Sequence, residues 1–294
     1  LTIDCDNEYF RIKGGLWDGY KLHDLYQDAY TPWEWQPEIK AECEKCGIDF
    51  LSTPFDQTAT DFLEEMGSTM YKISSFELVD IPLIEYVAAK GKPMIISCGM
   101  GSIEEIQDAV EACRHVGNEQ IILLKCCSEY PARFSDMRLA NIPDMRLRFG
   151  VPIGLSDHSE GSIGAVVGVS LGACIVEKHV CLSHAIKNPD SAFSMEMQDF
   201  AKMVQDVHAA SQIKGQVSYA LTEGERASTV FRRSLFAVKE IKKGESFTEE
   251  NIRSIRPGVG VPPKYFRALK MQRAARDIKC GTPVTREFFA DVKK

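Results

Sequence analysis

From about residue 48 the chain alternates short apolar runs with helical stretches, and every run ends in polar, chemically capable residues. The runs are IDFLSTPF (48–55), MYKISSF (70–76), PMIISCGM (93–100), QIILLKCC (120–127), VPIGLSDH (151–158) and ACIVEKHV (173–180). Their nearly continuous apolar character marks strands covered on both faces, the condition of strands in a parallel sheet. Between them lie stretches such as SIEEIQDAVEACRHVG (102–117), where Ser102 and Glu105 have capping-box spacing and Gly117 supplies a stop. Six β/α units in series predict an α/β fold built on a parallel sheet.

Two parallel architectures compete. A doubly wound sheet usually carries a glycine-rich βα turn, and no G-x-G-x-x-G follows an early strand here. In a (β/α)8 barrel the catalytic groups stand at the C-terminal ends of the strands. Here those ends read Ser-Thr-Pro, Lys-x-Ser-Ser-x-x-Glu, Ser-Cys-Gly, Cys-Cys-Ser-Glu, Ser-Asp-His and Glu-Lys-His, which look like one active-site rim. We therefore expect a (β/α)8 TIM-type barrel over 1–215 that lacks its first two strands in this chain. Residues 1–30 then form the excursion after strand two, 31–47 the second helix, and 197–215 the closing helix.

A polar linker, 216–228, leads to a more basic module over 229–294. That module repeats itself: Glu240-Ile-Lys-Lys-Gly244-Glu-Ser-Phe-Thr248 echoes Asp277-Ile-Lys-Cys-Gly281-Thr-Pro-Val-Thr285. Each copy reads as a strand, a Gly turn and a Thr-capped helix start.

Composition narrows the function classes. The 294 residues carry a formal charge of −7, with 44% hydrophobic and 26% charged residues, which is ordinary for a folded domain. No uncharged apolar run reaches the ~18 residues of a membrane span, and the acidic balance argues against nucleic acid as a partner. Most of the ten cysteines lie in apolar segments, as reduced buried cysteines do, so a cytoplasmic location is expected. Cys43-x-x-Cys46 has metal or redox spacing, but no second such pair or nearby His completes a site, and two reduced helix residues is the better reading.

Three groups could carry chemistry. His158 and His179 end consecutive strands, so two imidazoles could share a divalent ion at the barrel mouth. Ser75, Ser97, Ser128 and Ser156 stand at or just past strand ends, and with Lys72 they could hold a phosphate or carboxylate. Glu77 is either a general base or a solvated loop carboxylate. The residues alone point to metal-assisted chemistry on an anionic small molecule; the reaction type does not follow from them.

The motifs STPFD (52–56), YKISSFEL (71–78), KPMIISCGM (92–100), GLSDH (154–158), EKH (177–179) and PDSAFS (189–194) resemble the sialic acid synthase family. FRRSLF (231–236) and SIRPGVG (254–260) resemble that family's C-terminal antifreeze-like (SAF, β-clip-like) domain. YTPWEW (30–35), ILLKC (122–126) and VSYALTE (217–223) look most like its pseudaminic acid branch. The resemblance implies condensation of phosphoenolpyruvate with an open-chain N-acetylated amino sugar, here a 2,4-diacetamido-2,4,6-trideoxy hexose, with release of phosphate by C–O cleavage. It implies that Lys72, Ser75, Ser97, Ser128 and Ser156 hold phosphoenolpyruvate. It assigns proton transfer to Glu77 and sugar contacts to Tyr130 and Asp190. It places Mn²⁺ or Mg²⁺ on His158 and His179. Arg256 would reach the sugar from the other subunit of a domain-swapped homodimer. The family's first two barrel strands, about 40–50 residues, are expected to be missing. Related alternatives are an N-acetylneuraminate or legionaminate synthase and, in another class, an inactive sugar-binding remnant. Cys98 and Cys127 stand where Thr is usual and Asn188 where Gly is usual. Asn tolerates positive φ, which would preserve that turn. Glu129 stands where Ala is usual and is expected to place unfavourable charge near the anion site.

Overall fold

Five of the six apolar runs become strands of one parallel sheet in chain order: β1 (Tyr71–Ile73), β2 (Met94–Ser97), β3 (Ile121–Cys126), β4 (Ile153–Asp157) and β5 (Val176–Lys178). The computed structural model describes residues 2–288. Each strand pairs with the next, with Tyr71 opposite Met94, Met94 opposite Ile121, Leu123 opposite Ile153 and Leu155 opposite Val176. Sequential parallel pairing requires a crossover between strands, and the intervening helices supply it. This sheet is the arc of a TIM-type barrel, as the rhythm of the sequence predicts.

The run 48–55 forms no strand. Phe50 still packs against the core, but no ladder to β1 forms. An edge segment has one neighbour to bond, and Pro54 has no N–H to give it. The last run also divides. It breaks at His179 into β5 and a separate strand β6 (Val180–Cys181), which pairs in parallel with β7 (Met195–Glu196).

The helices of this part of the chain are α1 (Leu22–Ala29), α2 (Gln36–Cys46), α3 (Gln57–Glu65), α4 (Ile81–Ala88), α5 (Ile103–His115), α6 (Asn141–Phe149), α7 (Ile163–Ser170) and α8 (Met197–Lys214). The capping box forms: Glu105 N donates to Ser102 Oγ at 3.1 Å and Ser102 N to Glu105 Oε2 at 2.7 Å. Gly117 adopts φ 82°, a conformation that ends the helix without Cβ strain. Tyr71, Ile73, Ile84, Val87, Met94, Ile96 and Leu123 are fully buried between strands and helices. Each such side chain contributes roughly 1.5–3 kcal/mol through lost water contact.

The chain divides into two compact units, Leu1–Gly215 and Gln216–Lys294. The second opens with α9 (Glu223–Ser228), capped by Thr222 and Glu225, and also holds the short helix α10 (Phe266–Leu269). Strand β8 (Ser234–Ala237) pairs antiparallel with β9 (Ile252–Ile255). Leu235, Ile241, Phe247, Ile252, Ile278 and Val284 form its core. The two copies of the internal echo bond to each other, Ile241 N to Ile278 O at 2.9 Å and Ile278 N to Ile241 O at 2.8 Å. Their glycines take the same left-handed turn, Gly244 at φ 84° and Gly281 at φ 81°. The helix starts expected after Thr248 and Thr285 shrink to a turn and to a single 3-10 turn, Arg286–Phe288. After Thr248 the chain must enter β9 at Ile252, which leaves no room for a helix.

Gly154 on β4 exposes how closely the sheet is packed. A Cβ there would lie 2.5 Å from Leu124 Cδ2 and 2.9 Å from Ile175 O, and the backbone oxygen cannot rotate away. Gly154→Ala is therefore expected to destabilise the protein by about 1–3 kcal/mol through overpacking, read as a lower urea midpoint at unchanged slope.

Candidate functional site

Side chains alternate across a strand, so residues two apart share a face. Ser156 and His158 lie on one face at the end of β4, and Glu177 and His179 on the same face at the end of β5, while Asp157 and Lys178 point the other way. The contacts follow this division. Ser156 Oγ donates to Glu177 Oε1 at 2.8 Å, and Lys178 Nζ pairs with Asp157 Oδ2 at 2.9 Å. From β1, Lys72 Nζ reaches Glu177 Oε2 at 3.3 Å. Lys72, Ser75, Ser97 and Ser156 are all buried.

The two histidine rings stand 5.2 Å apart, centre to centre. His158 Nδ1 lies 2.9 Å from Cys127 O, which fixes its proton there and leaves the Nε2 lone pair free. His179 Nδ1 is 3.7 Å from Asp190 Oδ2. Burial, followed by the charge of His158, lowers the pKa of His179 and favours its neutral, ligating form. Burial opposes charge on His158, but Cys126 and the Cys127 carbonyl outweigh it and raise its pKa. A divalent ion on the two imidazoles would displace that proton and keep positions open for substrate oxygens. A second group, Asp4, His23 and Asp24, also brings donor atoms within 4.8 Å of one another. Both of its carboxylates already pair with Lys21, at 2.7 and 3.1 Å.

Hydroxyls gather next to the histidines. Gly99, just beyond β2, donates its N–H to Ser75 Oγ at 3.0 Å. A Cβ on Gly99 would fall 2.1 Å from Ser128 Oγ and 2.7 Å from Ser75 Oγ, so the absence of a side chain leaves the space between these two hydroxyls open. Ser97 Oγ is buried with no hydrogen-bond partner. An orphaned buried hydroxyl costs free energy unless a ligand satisfies it, and here it marks a donor held ready. Cys126 Sγ lies 3.7 Å from Ser128 Oγ and 3.9 Å from His158 Nδ1. Burial raises this thiol, but His158 and the hydroxyls outweigh it and bring it to about 7.

An aromatic wall closes one side. The Tyr130 ring is 4.3 Å from His158 and 6.0 Å from His179, and Phe193 is 5.0 Å from both Tyr130 and His179. Trp17 lies 5.7 Å from Tyr130 and donates Nε1–H to Pro189 O at 3.2 Å. Burial pushes the Tyr130 hydroxyl well up, so it remains a protonated donor.

The structure thus brings Lys72, Ser75, Ser128, Ser156, Tyr130, His158, His179 and Asp190 into linked contacts. Glu77 is half-buried, accepts a hydrogen bond from Ser74 Oγ, and its charge adds to burial in raising Tyr26. Arg256 belongs to the second unit, where it is exposed just after β9. Glu129 does not leave a bare charge: it pairs with Arg133 Nε at 3.3 Å and accepts Arg133 N at 3.3 Å. The turn at Asn188 does not use positive φ, since among the described non-glycine residues only Met100 and Arg138 do. Instead Asn188 Oδ1 accepts Asp190 N at 2.9 Å, so the side chain holds the turn.

Three residues escaped the sequence reading. Glu177 stood in the EKH motif, but only the pairing of β4 with β5 reveals that it grips Lys72 and Ser156. Phe193 stood in PDSAFS without a role. Trp17 gave no signal, because nothing in its neighbourhood repeats or alternates.

The NeuB family model matches residues 1–219 and the SAF domain model residues 232–290. Pseudaminic acid synthase of Campylobacter jejuni subsp. jejuni serotype O:2 is 41% identical over 289 residues, 98% of this chain and 84% of that protein. Pseudaminic acid synthase of Helicobacter pylori is 40% identical over 289 residues, 97% of this chain and 84% of that protein. The crystal structure of spore coat polysaccharide biosynthesis protein SpsE from Bacillus subtilis aligns with a TM-score of 0.61 at 29% identity, covering 98% of this chain and 85% of that one.

Glu177 competes with any incoming anion for Lys72 and Ser156. Removing its charge should favour the anion by a few-fold to about tenfold, as a partly screened neighbour of like sign would. Glu177→Gln is therefore expected to bind inorganic phosphate more tightly in an equilibrium titration; unchanged or weaker binding would place the anion elsewhere.

Proposed function

The chain belongs to the NeuB family, and on that premise we propose that it condenses phosphoenolpyruvate with an open-chain 2,4-diacetamido-2,4,6-trideoxy hexose and water. The products are pseudaminic acid and phosphate. The observation that carries the choice of sugar is the 41% identity, over 98% of the chain, to a pseudaminic acid synthase. The gathered cation and hydroxyls beside two ligand-ready histidines support the chemistry.

The C3 carbon of phosphoenolpyruvate attacks the sugar aldehyde carbon, forming the new C–C bond, while the C=O π pair moves to the aldehyde oxygen, which takes a proton and becomes a hydroxyl. Water adds at C2, and the C2–O bond to phosphate breaks. Lys72, Ser75, Ser97, Ser128 and Ser156 would hold the phosphoenolpyruvate. Lys72 and Ser156 would exchange Glu177 for the ligand's anionic oxygens, and Ser97 would find the partner it lacks. Tyr130 and Asp190 would orient the sugar. Trp17, Tyr130 and Phe193 would shield the reacting carbons from bulk water, which strengthens the electrostatic interactions inside. Glu77 would move a proton of the attacking water or of the sugar. Mn²⁺ or Mg²⁺ held on His158 and His179 would polarise the aldehyde as a Lewis acid. We assign Arg256 to the sugar site of the other subunit in a domain-swapped homodimer.

We place the enzyme in the cytoplasm. All ten cysteines are free, which suits a reducing compartment. No helix among the described residues is long and apolar enough to cross a membrane.

Incubating the protein with phosphoenolpyruvate, Mn²⁺ and the 2,4-diacetamido sugar is expected to release phosphate in step with sugar acid. Release with N-acetylmannosamine alone would move the assignment to N-acetylneuraminate; no release with either would refute it. His158→Gln and His179→Gln should each lower the rate on the order of 10²-fold or more.

A further inference from the structure

We propose that the buried Asp157–Lys178 ion pair positions the two histidines, by fixing the register of β4 against β5 one residue before each ring. The proposal rests on the reading of His158 and His179 as the metal-holding pair.

The two side chains are 0% and 2% exposed and lie directly opposite each other in the parallel ladder. Every polar atom of the pair is engaged. Asp157 Oδ2 meets Lys178 Nζ at 2.9 Å, while Asp157 Oδ1 accepts Ser159 N at 2.9 Å and Ser159 Oγ at 2.7 Å. Lys178 Nζ also donates to Gly161 O at 3.2 Å and to Ser159 O. These bonds tie β4, β5 and the turn that follows His158 into one knot. Helix α7 closes over it, since a Cβ on Gly164 would lie 2.6 Å from Ser159 Oγ and 3.0 Å from Asp157 Oδ1.

This knot occupies the layer between strands and helices, where apolar packing is the rule. Leu155, two residues earlier on the same face, packs in that ordinary way: it is 1% exposed and fills the space beside Gly168. A buried ion pair gives up much of its attraction to desolvation, and apolar replacements are often as stable or more so. Stability therefore does not account for it. Geometry does. Strand β5 has three residues, Val176, Glu177 and Lys178, of which only Val176 is apolar, so it has little apolar area with which to choose its own register. A slip of one residue would turn His179 to the opposite face of the sheet. A fully bonded ion pair accepts one partner at one position, and so forbids that slip.

The test is a neutral double variant, Asp157→Asn with Lys178→Gln, compared with Lys178→Arg and His158→Gln. Thermal unfolding of the metal-free proteins and calorimetric titration with Mn²⁺ alone provide the readouts. The double variant is expected to unfold cooperatively yet bind Mn²⁺ about 10–100-fold more weakly. Lys178→Arg, which keeps the cation, should lose less affinity than the double variant; an equal loss would overturn the proposal. A folded double variant with native affinity would overturn the proposal. So would loss of folding, which would make the pair a staple of the fold rather than of the rings. If His158→Gln leaves Mn²⁺ affinity unchanged, the metal reading itself fails and takes this inference with it. If His158→Gln abolishes binding and the double variant does not, the inference alone fails.

Discussion

The pairing of β4 with β5 is the constraint on which the rest of the site depends. It is a short parallel ladder of three residue pairs, Leu155 with Val176, Ser156 with Glu177 and Asp157 with Lys178. Because strand side chains alternate, that single register decides four things at once. It sends Ser156 and Glu177 inward to face Lys72. It aims both imidazoles into the same space. It sends Asp157 and Lys178 outward, where they must find each other or remain as bare buried charges. It also ends the ladder at His179, so the chain can turn away into β6 and carry Asp190 and Phe193 back toward the rings.

The charges at the mouth are arranged as a competition. Lys72 is a buried cation, and in the free protein its companion is Glu177 at 3.3 Å. A buried cation without a partner is costly, so a carboxylate that serves until an anionic substrate arrives keeps the cation paired. The same carboxylate would repel the substrate if it stayed in place. Binding is thus an exchange of one anion for another, and its net affinity is the difference between two favourable contacts. Ser97, whose hydroxyl has no partner among the protein's own groups, adds a donor that a bound anion would satisfy.

Much of the fold was legible because parallel strands covered on both faces are read directly as apolar runs. The five that form the sheet share that signature, and the capping box of α5 and the stop at Gly117 marked their helix to within a residue. The run 48–55 looks the same in sequence but forms no ladder, because hydrogen bonding at an edge depends on neighbours that a local pattern does not describe. The same limit applies to the site. His158, His179 and the serines were legible as strand ends. Glu177, Trp17 and Phe193 were not, since their roles arise from contacts between segments far apart in the chain, such as Trp17 with Pro189. The charge of Glu129 was legible, whereas its pairing with Arg133 depends on the local turn.

The most direct test is a crystal structure of the protein soaked with Mn²⁺ and phosphoenolpyruvate. One metal ion is expected on His158 and His179, with the phosphoenolpyruvate oxygens on Lys72, Ser97 and Ser156 and with Glu177 released from Lys72. A metal ion bound instead at Asp4, His23 and Asp24, or phosphoenolpyruvate bound while Glu177 still holds Lys72, would contradict it.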